Sequence, residues 1–286
     1  MTLSTQDQLQ YLTARVSAIK SGQRHYGSAF FFRFADDGKT HIPALITNKH
    51  VIDGAEAGTI VFHTINSESG VRPSSKREVN IANFQDVWLR HPDDNIDLAA
   101  LPIAGYMNSL EESGENVFFR PLGPSLIPDQ SYLDQLNAIE DVVMVGYPNG
   151  IWDEANNLPI TRRGLTATAP YVDFNNEPLF LIDCACWPGS SGSPVLLYNM
   201  GGYVDKKGGT RLGANRIMLL GVLYAGPIYM ANGNIMPGPL PTNASMISQT
   251  PVMVNLGFCV KSKEILFFEE VFKDISSRIG TPPLSA

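Results

Sequence analysis

The segment Trp187-Pro188-Gly189-Ser190-Ser191-Gly192-Ser193-Pro194 carries the strongest chemical signal in the chain, a serine set between glycines at a tight turn. A serine hydroxyl is a weak nucleophile until a base removes its proton, and an acyl-transfer site also needs donors for the oxyanion. Flanking glycines let amide N–H groups converge on a carbonyl oxygen with nothing bulky in the way. Alone, the same tract reads equally as a flexible turn. Its meaning therefore depends on partners elsewhere. Among the five histidines, His25, His41, His50, His63 and His91, only His50 lies where an apolar strand ends at a polar turn and apolar residues resume, in Leu45-Ile-Thr-Asn-Lys-His-Val-Ile52. Such a position can hold an imidazole beside a cleft. Asp97, in Asp94-Asn-Ile-Asp-Leu-Ala-Ala-Leu101, immediately precedes an apolar strand. A carboxylate so placed is partly buried and can accept an imidazole N–H, fixing its tautomer. Asp93 and Asp94 read as solvated turn residues.

Short apolar runs separated by turn residues must position these groups. Gly 25 and Pro 20 in 286 residues exceed average usage of about 7% and about 5%. Candidate strands are Ser28–Phe34, Ile42–Thr47, Thr59–His63, Leu98–Leu101, Asp141–Gly146, Leu179–Asp183, Val195–Tyr198 and Ile217–Tyr224. Their lengths and regular punctuation favour antiparallel barrels or a sandwich. Helical periodicity is confined to the two ends. Thr5 with Gln8 forms a capping-box signature ahead of Leu9, Leu12, Val16 and Ile19, and Ser262 can cap a helix bearing Ile265, Phe268, Phe272, Ile275 and Ile279 on one face. The expected organisation is an N-terminal helix over 1–23, a first β-barrel over 24–103 and a connector over 104–140. A second barrel over 141–260 and a C-terminal helix and tail over 261–286 complete it. The Gly/Pro-rich stretch Pro227 to Pro251 reads as a surface excursion.

Composition excludes several functions. With 21 basic against 28 acidic residues and a net charge of −7, the chain is not suited to gripping phosphate backbones, so nucleic acid is not an expected partner. Its 44% hydrophobic and 17% charged residues are globular proportions. No apolar run of membrane-spanning length occurs, and the first residues lack a signal-peptide pattern, so a cytoplasmic protein with no membrane partner is expected. Three cysteines, two of them separated by a single residue, do not make a disulfide framework. Cys186 and Cys259 read as small core hydrophobes. Cys184-Ala-Cys186 has no second ligand pair, so neither a metal nor another cofactor is expected.

Taken together, Thr47-Asn48-Lys49-His50-Val51-Ile52, then Asp97-Leu98-Ala99-Ala100-Leu101, then Pro188-Gly189-Ser190-Ser191-Gly192-Ser193-Pro194 resembles the trypsin-like serine peptidases of chymotrypsin fold, especially the bacterial HtrA-like branch. The order His, Asp, Ser is that family's own. Further matches are Val143-Met-Val-Gly-Tyr-Pro148, Leu181-Ile-Asp-Cys-Ala-Cys-Trp-Pro188, Gly221-Val-Leu-Tyr-Ala-Gly226 and Gly257-Phe-Cys-Val260. The resemblance implies an all-β fold of two antiparallel six-stranded barrels with helices at the two ends. It implies a catalytic triad of His50, Asp97 and Ser191, an oxyanion hole from the N–H groups of Gly189 and Ser191, and a protein or peptide substrate. Substrate would add a strand beside Tyr224-Ala225-Gly226, with Ala185, Cys186, Tyr224, Gly226 and Gly257 around the primary pocket. None of these is charged, which favours an uncharged P1 residue. No PDZ-like domain is expected, because the chain ends soon after Val260. Ser190 stands where zymogen-activated relatives carry an aspartate, and serine cannot make that residue's ion pair with a new amino terminus. The family implies control by loop order or by a regulatory protein partner instead. The alternative is a catalytically silent module of the same fold that captures extended peptides.

Overall fold

The computed structural model describes residues 3–65, 75–235, 246–279 and 284–285. The first half contains β1 (Thr13–Lys20), β2 (Gln23–Phe34), β3 (Thr40–Thr47), β4 (Ala57–Ile65), β5 (Ser75–Ala82), β6 (Leu89–Arg90), β7 (Ala99–Pro102) and β8 (Asn116–Phe118). The second contains β9 (Asp141–Gly146), β10 (Ile160–Thr166), β11 (Leu179–Asp183), β12 (Pro194–Asn199), β13 (Gly202–Val204), β14 (Thr210–Leu212), β15 (Arg216–Ala225), β16 (Ile228–Ile235), β17 (Met246–Met253) and β18 (Leu256–Lys261), and β19 (Leu284–Ser285) follows near the C-terminus. Seven of the eight strands expected from the sequence lie within these elements, and the eighth, Leu98–Leu101, is shifted by one residue to β7 (Ala99–Pro102).

In the second half β9, β10, β11, β18, β15 and β12 close into the six-stranded antiparallel barrel that was expected. The first half departs from six strands. It is a nine-stranded sheet with the path β5-β4-β1-β2-β3-β7-β6, β8 beside β4 and β19 beside β3, and the path does not close among the described residues. It curls around its own core, because one face of β1 to β4 supplies Val16, Phe31, Leu45, Ile60 and Phe62 to a single buried cluster. Strand period explains how β2 serves two cores at once. Phe31 points into that cluster, while Phe30, Phe32 and Phe34 point the opposite way. There they meet Val143, Val145, Leu196, Leu219, Val222 and Val260 of the closed barrel.

The expected N-terminal helix over 1–23 requires correction. A helix is present, α1 (Thr5–Leu9), but its cap is Ser4 paired reciprocally with Asp7, one residue before the Thr5 and Gln8 signature. Val16 and Ile19 belong to β1, which pairs with β2 from Thr13↔Phe30 to Lys20↔Gln23. Ala14, Val16 and Ala18 alternate toward the core, and two flanking strands supply ladder bonds that outweigh a weak helical pattern. A one-turn helix, α2 (Lys49–Ile52), follows β3, and α3 (Ala104–Glu112) and α4 (Gln130–Leu133) lie in the connecting stretch. At the C-terminal end, Ser262, itself buried, begins a 3-10 turn and makes no N-cap bond. The α-helix proper, α5 (Leu266–Ile279), buries Phe268 and Phe272 as anticipated, with Phe272 stacked on Phe34 at a ring separation of 4.7 Å. The excursion from Pro227 to Pro251 includes β16 and most of β17, which form a two-stranded sheet of their own; residues 236–245 lie outside the described residues. Among the described residues no helix is long and apolar enough to cross a membrane.

Candidate active site

Strand β3 delivers His50 to the surface. Its last residue, Thr47, is fully buried, as is Asn48, whose amide donates to the Asp97 main-chain carbonyl at 2.7 Å. The chain then turns into α2, leaving the His50 side chain 48% exposed and Asp97 21% exposed. One carboxylate grips the histidine twice. Asp97 Oδ1 accepts the His50 main-chain N–H at 3.1 Å, and Oδ2 lies 2.5 Å from Nδ1. A carboxylate can only accept, so Nδ1 carries the proton and Nε2 is left with its lone pair facing away from Asp97. Lys20 adds a third restraint by donating to the His50 carbonyl at 2.6 Å.

The serine loop is built by the second half and moored to the first. Trp187 to Ser190 form a turn closed by Ser190 N–H donating to the Trp187 carbonyl at 3.0 Å. Pro188 at the second position and Gly189 with φ +84° at the third make it type II. The Pro188 carbonyl accepts from Asn149 N–H at 2.5 Å, and because a trans peptide points its N–H opposite its C=O, the Gly189 N–H faces away from Asn149. A side chain at 189 would collide with the Tyr147 carbonyl and the Asn149 amide, at 2.8 and 2.9 Å. Gly192, with φ +85°, allows a still closer approach, to the Ser28 carbonyl and the Thr47 hydroxyl.

Ser28 of β2, fully buried, is the mooring post. Its hydroxyl accepts from Tyr147 N–H at 2.9 Å and donates to the Gly189 carbonyl at 3.0 Å, while its N–H donates to the Ser191 carbonyl at 2.8 Å. Its own carbonyl accepts from Thr47 Oγ1 at 2.7 Å, three residues before His50. One residue thus ties the loop of Ser191 to the strand that presents His50. The Gly189 and Ser191 N–H groups donate to no acceptor of the protein among the described residues. The Ser191 hydroxyl itself donates to the Tyr224 carbonyl at 3.2 Å, and no hydrogen bond joins it to His50.

The residues expected around the primary pocket converge in part. A Cβ on Gly257 would lie 2.5 Å from both Cys186 Sγ and Leu223 Cδ1. One on Gly226 would lie 3.7 Å from Cys186 Cβ and 3.2 Å from Met253 Cε. Cys186, Gly226 and Gly257 therefore surround one spot, joined by Leu223 and Met253. Ala185 lies on the side facing β10, where its carbonyl accepts from Arg162. Tyr224 and Ala225 sit at the open end of β15. Its pairing with β12 runs to Val222, and Leu223 then exchanges bonds with Gly192 and Ser193. Beyond Leu223 that edge makes no ladder bond among the described residues. On its other side, the pairing of β15 with β18 shifts register between Leu223 and Ala225.

All three cysteines are free and buried. Burial pushes the Cys186 thiol up to about 12, and the Cys259 thiol also lies well above its ordinary range. They are protonated at neutral pH and offer no rival nucleophile. Of the other histidines, His63 is buried without a hydrogen-bond partner on either ring nitrogen, and desolvation lowers its pKa to about 4. Among the described residues no group of three His, Cys, Asp or Glu side chains is arranged to hold a metal ion.

Two β units, one of them a closed six-stranded barrel, with helices near both termini, make a chymotrypsin-type fold. The model of the trypsin-like peptidase domain matches residues 27–204, more than half of the chain, and the chain belongs to that family. The class is one of peptide-bond hydrolases. No curated protein is similar enough to count as a relative. Among solved structures the chain is similar to a serine endoprotease from Yersinia pestis, with 16% identity, TM-score 0.47, and coverage of 96% of this chain and 69% of that one. It is also similar to the HtrA-type protease AlgW with a tripeptide, with 17% identity, TM-score 0.46 and coverage of 94% of this chain. It spans 61% of that protein's length. A third similarity is to the Rv3671c protease from M. tuberculosis in its active form, with 15% identity, TM-score 0.41, and coverage of 90% and 79% of the two chains.

Proposed function

We propose that the protein is a serine endopeptidase in which Ser191 is the nucleophile, His50 the general base and Asp97 the group that orients the imidazole. The observation that carries this reading is the double contact of the Asp97 carboxylate with His50, which leaves Nε2 free to accept a proton. On attack, the Ser191 proton passes to His50 Nε2 as the Oγ–C bond forms, and the oxyanion is held by the N–H groups of Gly189 and Ser191. His50 returns that proton to the leaving amine, the C–N bond breaks, and water then hydrolyses the acyl-enzyme by the same exchange.

Substrate binding prepares the nucleophile. An extended peptide adding a strand to the open edge at Tyr224, Ala225 and Gly226 gains backbone bonds that read no side chain. A peptide N–H donated to the Tyr224 carbonyl displaces the Ser191 hydroxyl from its resting acceptor. Rotation to another staggered χ1 then directs Oγ elsewhere. The spot that Cys186, Gly226 and Gly257 surround with Leu223 and Met253 carries no charged side chain, so an arginine, lysine or glutamate at P1 would be desolvated there without a counter-charge. A peptide-library profile is expected to favour small to medium apolar P1 residues. Dominance of any of those three charged residues contradicts the pocket assignment.

A serine-directed fluorophosphonate tests the chemistry itself. The wild type should be labelled at Ser191, and His50→Ala should slow labelling by about two to four orders of magnitude, the contribution of a positioned general base. A wild type that resists labelling yet binds extended peptides favours instead a silent peptide-capturing module, for which the resting Ser191–Tyr224 bond would be the permanent arrangement.

A further inference from the structure

Strand β10 reads Ile160-Thr-Arg-Arg-Gly-Leu-Thr166, and period two sends Arg162 and Gly164 to the same face. Gly164 lacks a side chain where the chain leading to the serine loop presses closest. A Cβ there would lie 2.8 Å from Cys184 Cβ and would collide with the Asp183 carbonyl. That approach brings the loop within reach of Arg162. One guanidinium nitrogen, Nη1, donates to the Ala185 carbonyl, and the other, Nη2, donates to Ser190 Oγ at 2.7 Å. Ser190 is fully buried, and Arg162 forms no ion pair with a carboxylate among the described residues. An arginine held beneath a loop by a carbonyl and a hydroxyl alone is a costly arrangement, since desolvation is not offset by a counter-charge.

We infer that Arg162 is the positioning residue of the proposed oxyanion site, a planar strut that fixes the span from Ala185 to Ser190. Its two N–H groups are rigidly spaced, so the carbonyl and hydroxyl they hold are rigidly spaced as well. Between those anchors run Cys186, Trp187, Pro188 and Gly189, with Trp187 48% exposed and Pro188 also at the surface. The two donor amides, of Gly189 and Ser191, immediately flank Ser190. Ser28 holds their carbonyls from the first half, and Arg162 holds the residue between them from the second. The loop is clamped on both sides. Arg162 touches no reacting atom; it acts by keeping the amides directed at the position where negative charge develops.

This inference rests on the serine-peptidase reading, and the experiment separates the two. Arg162→Met, Arg162→Lys, Ser190→Ala and the double variant Arg162→Met/Ser190→Ala are assayed for kcat, KM and thermal midpoint, with kcat expressed per fluorophosphonate-titrated site. Arg162→Met is expected to lose about 10²-fold or more in kcat, the scale of one misplaced oxyanion donor, with KM little changed because the ground-state peptide is held by the β15 edge. Arg162→Lys should fall between, since an ammonium cannot reproduce the two-pronged geometry. The double variant should lose no more kcat than Arg162→Met alone, because both changes sever one connection. A merely structural arginine would lower the thermal midpoint and the number of titratable sites while leaving kcat per site at the wild-type value; that result, or strictly additive losses, overturns the inference. Should Arg162→Met fail to fold, Ser190→Ala decides alone. A drop of about tenfold in kcat per site sustains the strut, and an unchanged kcat removes it. Ser191→Ala serves as the control for the underlying reading. If it abolishes turnover while the Arg162 and Ser190 variants keep wild-type kcat, only the strut fails; if Ser191→Ala retains turnover, the peptidase reading fails first.

Discussion

Replacing Ser191 with alanine is expected to lower kcat by about four to six orders of magnitude, with the fold and the affinity for extended peptides retained. The size follows from what is lost and what remains. Without Oγ there is no acyl-enzyme, and the proton that His50 would accept is gone. The donors at Gly189 and Ser191 and the strand-pairing edge at Tyr224 remain and can still assist direct attack by water, which is why activity falls to a residue and not to zero. The folded state should barely change, because the hydroxyl makes a single hydrogen bond, to the Tyr224 carbonyl at 3.2 Å. Loss of such a bond costs about 1 kcal/mol. Steady-state turnover of a cleaved peptide, read beside a urea denaturation curve, checks both halves of the expectation. Hydrolysis by the alanine variant at the wild-type rate would move the chemistry to another residue.

Asp97→Asn should cost about 10⁴-fold in kcat although it removes only one charge and hardly alters shape. The wild-type carboxylate accepts from both the main-chain N–H of His50 and its ring. An asparagine can keep the first contact with its carbonyl oxygen, which turns its NH₂ toward Nδ1. The ring then does best with its proton on Nε2, the nitrogen that must receive the serine proton, and the base is blocked by its own tautomer. Fluorophosphonate labelling should slow in parallel with peptide turnover, and the thermal midpoint should move much less than the rate. A variant within tenfold of wild type would show that His50 is not held in the working tautomer by Asp97.

How much of this was written in the sequence differs from residue to residue. His50 and Asp97 were legible because each sits at the junction of a buried strand and a polar turn, a local feature that any window of ten residues displays. Ser191 was legible through the glycines around it. The two conformations that demand glycine, φ +84° at 189 and φ +85° at 192, lie on either side of Ser191. Ser28 was not legible. It works through main-chain carbonyls of residues that follow it by more than 150 positions, and a serine at the head of an apolar strand has no periodicity to betray it. Arg162 left a fainter trace, two consecutive arginines before a glycine in a strand, one of which period two must turn inward. The misread stretch was Thr13–Lys20. Leu9, Leu12, Val16 and Ile19 fit a helical stripe, whereas Ala14, Val16 and Ala18 fit a strand; what decided between them was the presence of β2 and β4 on either side, which no local pattern contains.

The alternating phenylalanines of β2 have a consequence for how this chain can be altered. Phe30, Phe32 and Phe34 complete a core whose other walls come from the closed barrel and from α5. The two halves are therefore not exchangeable cassettes. A chimera that kept residues up to the connector and took its remainder from a distant relative would set three aromatic rings against walls shaped for different side chains, and would lose the terminal helix that stacks on Phe34. Recombination within this lineage must carry the seam along with the pieces it joins.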